Sequence, residues 1–233
     1  MANETLKTKA ELNDLNVFEI ESDSVTKTNK LIRNTYTLLS MTLLFSAITA
    51  GVAMAINLPH PGFLISLIGF IGLFMLTTWL RNSAWGLLAV FALTGFMGLT
   101  LGPVLNAYIH AFSNGHQLIM MAFGSTATIF FGLSGYALTT KKDFSFMGAF
   151  LFAGLIVALL AMLGAWLFGL TGLALAVSAI MVLLMVGYIL YDTSNIVHGH
   201  ETNYIMATVT LYVDIYVLFS HLLSLFGVFA GED

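Results

Sequence analysis

The sequence predicts an all-α integral membrane protein, a seven-transmembrane-helix bundle with its N-terminus in the cytoplasm, and three observations carry that prediction. Of 233 residues, 58% are hydrophobic and only 9% are charged, whereas a soluble domain is roughly a quarter charged. Mean hydropathy is +0.92. From Thr35 onward, apolar runs of roughly 20 residues, the length that spans a hydrocarbon core, follow one another with short polar breaks.

Residues 1–30 mix Glu, Asp, Lys, Asn, Thr and Ser with few large apolar side chains, a composition expected of a solvated cytoplasmic tail ahead of a transmembrane domain over residues 31–233. The first apolar run has no small-residue cleavage site after it, so it is expected to be a retained span. Spans are predicted near Thr35–Ile56, Gly62–Leu80, Trp85–Tyr108, Gln117–Thr139, Phe146–Phe168, Gly172–Val197 and Tyr204–Phe229. Each break carries polar or turn residues: Asn57 to Pro61, Arg81 to Ser83, Ser113 to His116, Lys141-Lys142-Asp143, and His198 to Asn203. The weakest break is Gly169 to Gly172. If it is a kink inside one long helix, the count falls to six and the C-terminus changes side.

Lys and Arg near span ends are retained on the cytoplasmic side. With seven spans, Lys27, Lys30, Arg33, Arg81, Lys141 and Lys142 all fall on one side, and the opposite loops contain no Lys or Arg. Trp79, Trp85, Tyr108, Trp166 and Tyr204 lie near span ends, where amphipathic rings favour the interface. Gly98 and Gly102 are four apart in the third span and so share a helix face that another backbone can approach, with Pro103 just beyond; tight packing within the chain is favoured over a dimer seam.

Composition also excludes. There is no cysteine, so disulfides, thiol catalysis and cysteine-bound metals are out. The net charge of −4 is concentrated in the tail and no basic patch exists, which argues against a nucleic-acid partner. Gly132-Leu133-Ser134-Gly135 resembles the nucleophile motif of rhomboid-type intramembrane proteases, with His221 as a conceivable base, but the residues around His221 lack the small side chains such a pair of helices needs. No lysine near the last span can form a retinal Schiff base. No enzyme activity and no cofactor are expected.

Two charged residues lie within the spans proper, Asp192 in the sixth and Asp214 in the seventh. A carboxylate in hydrocarbon costs several kcal/mol, so its default reading is functional, with the alternative that each aspartate only hydrogen-bonds neighbouring helices as polar glue. At about 1.5 Å per residue the two sit roughly one helical turn apart in depth, a gap that tilt and side-chain length can close. Two such carboxyls on adjacent helices would share a proton and titrate as a pair, a pH sensor. Tyr188, Tyr191, Asn195 and Tyr212 are available partners. Arg81, ending the second span, reads on position alone as a snorkelling anchor. His198, His200 and Glu201 fit no demanding metal-ligand spacing and are expected to form a solvated loop; His221 shares a helix face with Asp214.

Several of these segments together resemble the Bax inhibitor / YccA (TMBIM) family: Ile189-Leu190-Tyr191-Asp192-Thr193, Leu211-Tyr212-Val213-Asp214 followed by Leu218-Phe219, and Lys141-Lys142-Asp143-Phe144-Ser145-Phe146. Ile32 to Ser40, Phe45 to Ala50, Thr193 to Ile196 and Glu201 to Ile205 look like its bacterial inner-membrane YccA branch, and the similarity runs from about Leu31 to Phe229. The resemblance implies a seven-helix bundle with the last helix central. It further implies a pH-sensitive calcium leak gated by the aspartates matching Asp192 and Asp214, with an arginine matching Arg81 in Trp79-Leu80-Arg81 latched onto the first, and a calcium path near the pair. Unlike some calcium-leaking members, the second span here has no acidic residue. For the YccA branch the implied role is instead to bind and restrain the membrane-anchored AAA protease FtsH, with no conductance.

Overall fold

In hydrocarbon a chain satisfies its backbone within each segment only as helix, and the described residues form seven α-helices: α1 (Ala2–Ala55), α2 (Phe63–Leu80), α3 (Trp85–Ala111), α4 (Gly115–Thr140), α5 (Gly148–Phe168), α6 (Thr171–Val197) and α7 (Tyr204–Ala230). This computed structural model describes residues 2–230, with side chains from Val25 onward, and no strand occurs among the described residues. All seven helices are long and apolar enough to cross a membrane. The shortest, α2, has 18 residues and rises about 27 Å, close to the thickness of a hydrocarbon core. The expectation of a solvated tail falls mostly on residues 1–24, whose side chains lie outside the described residues. From Val25 the apolar part of α1 already belongs to a helix that begins ahead of the expected Thr35, with Lys27, Lys30 and Arg33 exposed along it.

The doubtful break at Gly169 to Gly172 is a true turn. Gly169 takes φ +64, a left-handed conformation that favours glycine, and both its N–H and that of Leu170 (2.9 Å) donate to the Ala165 carbonyl, closing the last turn of α5. The chain then runs back antiparallel: Gly148 faces Tyr191, Leu151 faces Gly187 and Gly154 faces Leu184.

α7 is the central helix, packing against α1, α3, α4 and α6. α2 and α5 are peripheral. α2 buries only Thr77, and α5 only Leu151, Ala158 and Ala165, a single stripe seven residues apart. Their outward residues, among them Ile68, Met75, Phe150 and Val157, are exposed large hydrophobics, as lipid-facing positions must be. Trp79, Trp85 and Trp166 are likewise exposed at helix ends. The glycine face of α3 is filled from within the chain: Phe45 lies over Gly95, Ser46 and Thr49 over Gly98, and Ala50 and Ala53 over Gly102.

The loops after α2, α4 and α6 gather at one end of the bundle. Asn203 links two of them, its Nδ2 donating to the Arg81 carbonyl (3.0 Å) and to Asn82 Oδ1 (2.9 Å). Its Oδ1 accepts from the N–H groups of Ile205 (3.0 Å) and Met206 (3.2 Å), capping α7. Asn203→Ala is therefore expected to lower stability by about 1–2 kcal/mol in thermal unfolding. Asn203→Asp, which keeps the cap but cannot donate, should recover part of that loss; equal stability of all three proteins would contradict a joint role.

Candidate functional site: an intramembrane carboxyl pair

α6 and α7 are joined by a short turn, so the last turns of α6 lie against the first turns of α7. The structure brings Asp192 and Asp214 together, their carboxyls within hydrogen-bonding reach of each other, with the Thr210 hydroxyl also reaching Asp192. Asp214 is 5% exposed, and its Oδ2 is buried with no hydrogen-bond partner. Tyr188 stands beside both carboxyls, and its ring meets Tyr191 edge-on. Thr210 precedes Asp214 by four residues and so shares its helix face, but a threonine in an apolar span carries no signal of its own in the sequence.

No Lys or Arg side chain pairs with either carboxyl among the described residues. Arg81 is exposed at the end of α2; its backbone carbonyl is tied to Asn203, and its guanidinium makes no ion pair among the described residues. The structure thus joins the two aspartates but not the arginine to them. Two carboxylates in a low-dielectric interior repel strongly when both are ionised, and one proton held between them converts the repulsion into a hydrogen bond. The pair can exist in two charge states with opposite effects on the α6–α7 contact. Among the described residues no group of three or more His, Asp or Glu side chains is placed to hold a metal ion.

Other buried polar contacts tie α7 to its neighbours. Tyr212 OH lies 2.6 Å from Ser46 Oγ and donates to the Thr94 carbonyl at 3.3 Å, tying α7 to α1 and α3. Thr208 Oγ1 lies 3.2 Å from the Thr35 carbonyl, and the Thr35 hydroxyl and Tyr36 OH are buried without partners. Buried polar atoms of this kind are where ordered water is expected. His221 Nδ1 meets Ser178 Oγ at 3.2 Å, so its partner is on α6. Ser134 meets Thr193 at 3.3 Å and not His221, so the Gly-Leu-Ser-Gly motif is not arranged as a nucleophile and base.

Beyond the pair, at the end of the bundle carrying Arg81, Lys141 and Lys142, a polar recess of about 340 Å³ is lined by Ser145, Tyr191, Asn195, His200 and Glu201. Asp143 accepts the Ser145 N–H at 2.8 Å, and this bond, helped by nearby His198 and His200, holds its carboxyl below the usual range. His198 and His200 are exposed, as expected of a solvated loop, and Glu201 is half-buried. The exposed His198 ring also reaches the Ser194 carbonyl of α6 and the Lys141 carbonyl of the α4–α5 loop.

Residues 28–231 match the family described as "Inhibitor of apoptosis-promoting Bax1". An uncharacterised protein of Pseudomonas aeruginosa is 55% identical over 203 residues, covering 87% of this chain and 91% of that protein. A protein of Escherichia coli named "Modulator of FtsH protease YccA" is 49% identical over 210 residues, covering 90% of this chain and 94% of that one. Its counterpart in another E. coli strain, at the same identity and coverage, is named "Inner membrane protein YccA".

Proposed function

The chain belongs to the Bax inhibitor family, and from that premise we propose that it is a multi-pass protein of the bacterial inner membrane that modulates an FtsH-type membrane-anchored protease. The observation that carries this reading is the 49% identity, over 94% of its length, to a relative named for that role. In this reading the loops bearing Arg81, Lys141 and Lys142 face the cytoplasm, as does the N-terminal segment, on the side where positive charge is retained. That segment engages the protease while the bundle docks beside it in the bilayer. The full chain is expected to copurify with FtsH from solubilised membranes, and deletion of residues 4–23 to weaken the association. Unchanged association would remove the tail from the mechanism, and no association of either protein would overturn the reading.

A second reading is favoured by a specific observation, the contact between Asp192 and Asp214. In it the pair gates a pH-sensitive leak of cations, calcium among them, with Arg81 as a mobile counter-charge drawn inward when the pair carries charge. Calcium flux into liposomes across a pH series tests it. The two readings are compatible, since a protease modulator that senses pH needs a titrating element.

A further inference from the structure

The loop between α4 and α5 is stapled to the end of α6 by two side chains, and we propose that this staple is a proton-operated clasp: imidazolium His198 holds every point of it, and neutral His198 releases one. The proposal rests on this geometry alone and stands apart from the function of the carboxyl pair. His198 Nδ1 lies 2.9 Å from the Ser194 carbonyl oxygen, and Nε2 lies 3.1 Å from the Lys141 carbonyl oxygen. A carbonyl only accepts, so both contacts are hydrogen bonds only when both ring nitrogens carry protons.

A neutral ring has one N–H. If it is on Nδ1, the bond to the Lys141 carbonyl is lost. If it is on Nε2, the lone pair of Nδ1 faces the Ser194 carbonyl. The available relief is to accept from the Ser194 hydroxyl, 3.3 Å away, which must then leave the Lys142 carbonyl, to which it donates at 3.3 Å. Either neutral tautomer gives up one bond between loop and helix. The bond from the Phe144 N–H to Ser194 Oγ, 2.9 Å, persists in both.

The charged and titratable groups of the three loops that meet at this end are Lys141, Lys142 and Asp143 from the α4–α5 loop, His200 and Glu201 from the loop of His198 itself, and Arg81 from the α2–α3 loop joined through Asn203. His200 stacks on His198 with ring centroids 6.1 Å apart. The clasped loop carries Ser145 into the lining of the recess, where Tyr191, the neighbour of Asp192, also lies. Releasing it loosens one wall of that recess.

Hydrogen exchange of the full chain in lipid nanodiscs, corrected for intrinsic chemistry, across about pH 5 to 8 tests the clasp. Peptides over residues 141–147 are expected to be about threefold to tenfold better protected at the acid end, the effect of one hydrogen bond, while peptides around Gly169 stay unchanged. His198→Gln, which does not titrate, should make the loop's protection independent of pH, and His200→Gln should leave the wild-type dependence in place. A flat wild-type profile, or a dependence abolished by His200→Gln and retained in His198→Gln, would overturn the proposal.

Discussion

Asp214→Asn is expected to abolish the pH dependence of calcium flux into liposomes carrying this protein, and Asp192→Asn to do the same. The two carboxyls are within hydrogen-bonding reach of each other, with no cationic side chain paired to either among the described residues, so their protonation belongs to the pair. With both ionised, the site is negative, the α6–α7 contact is under repulsion, and a divalent cation finds oxygen ligands. With one proton between them, the site binds a proton in place of a cation and the helices are drawn together. Wild-type flux should therefore fall from the alkaline to the acid end of about pH 8 to 5, whereas either amide variant stays low and flat. The amide is close in size to the acid and removes a charge whose Oδ2 has no hydrogen-bond partner, so thermal unfolding of Asp214→Asn should stay near wild type. An identical pH profile in wild type and variant would take the aspartates out of gating and leave them as packing groups of a protease modulator.

Much of this is legible in the sequence. Asn57 to Pro61, Arg81 to Ser83 and Lys141 to Asp143 punctuate apolar runs too long for anything but membrane helices, and a lone acidic residue in such a run is conspicuous because lipid penalises it. What stayed hidden depends on neighbours distant in sequence. Gly95 and Gly72 both sit inside helices, yet only the first has another helix against it, and nothing local distinguishes them. The ring of His198 resembles that of any loop histidine until Lys141, 57 positions earlier, is seen to present its carbonyl. The same holds for Arg81. Its place at the end of α2 was plain, but where its guanidinium points depends on packing that no span-level pattern encodes.

Gly98→Val is expected to be the most damaging single substitution in the bundle, lowering stability by about 3 kcal/mol, the upper end of overpacking, or preventing assembly outright. α1 and α3 approach each other through the glycine face of α3. A Cβ at Gly98 would fall on the Thr49 hydroxyl and on the Ser46 carbonyl oxygen, and a backbone carbonyl cannot rotate away as a side chain can. To make room α1 must move at Ser46, the residue whose hydroxyl meets Tyr212 OH at 2.6 Å, so the contact with the central helix is strained along with the α1–α3 seam. Gly72→Ala is the matching control, because a Cβ there meets no atom within 4 Å; it should be neutral within about 0.5 kcal/mol or gain from alanine's better helix propensity. Thermal unfolding of the purified protein in detergent, with the monodisperse yield as a second readout, separates the two. If Gly98→Val unfolds at the same temperature as Gly72→Ala, then α1 and α3 are not held at the close approach that the glycines permit, and α7 must be fixed by its contacts with α4 and α6 instead.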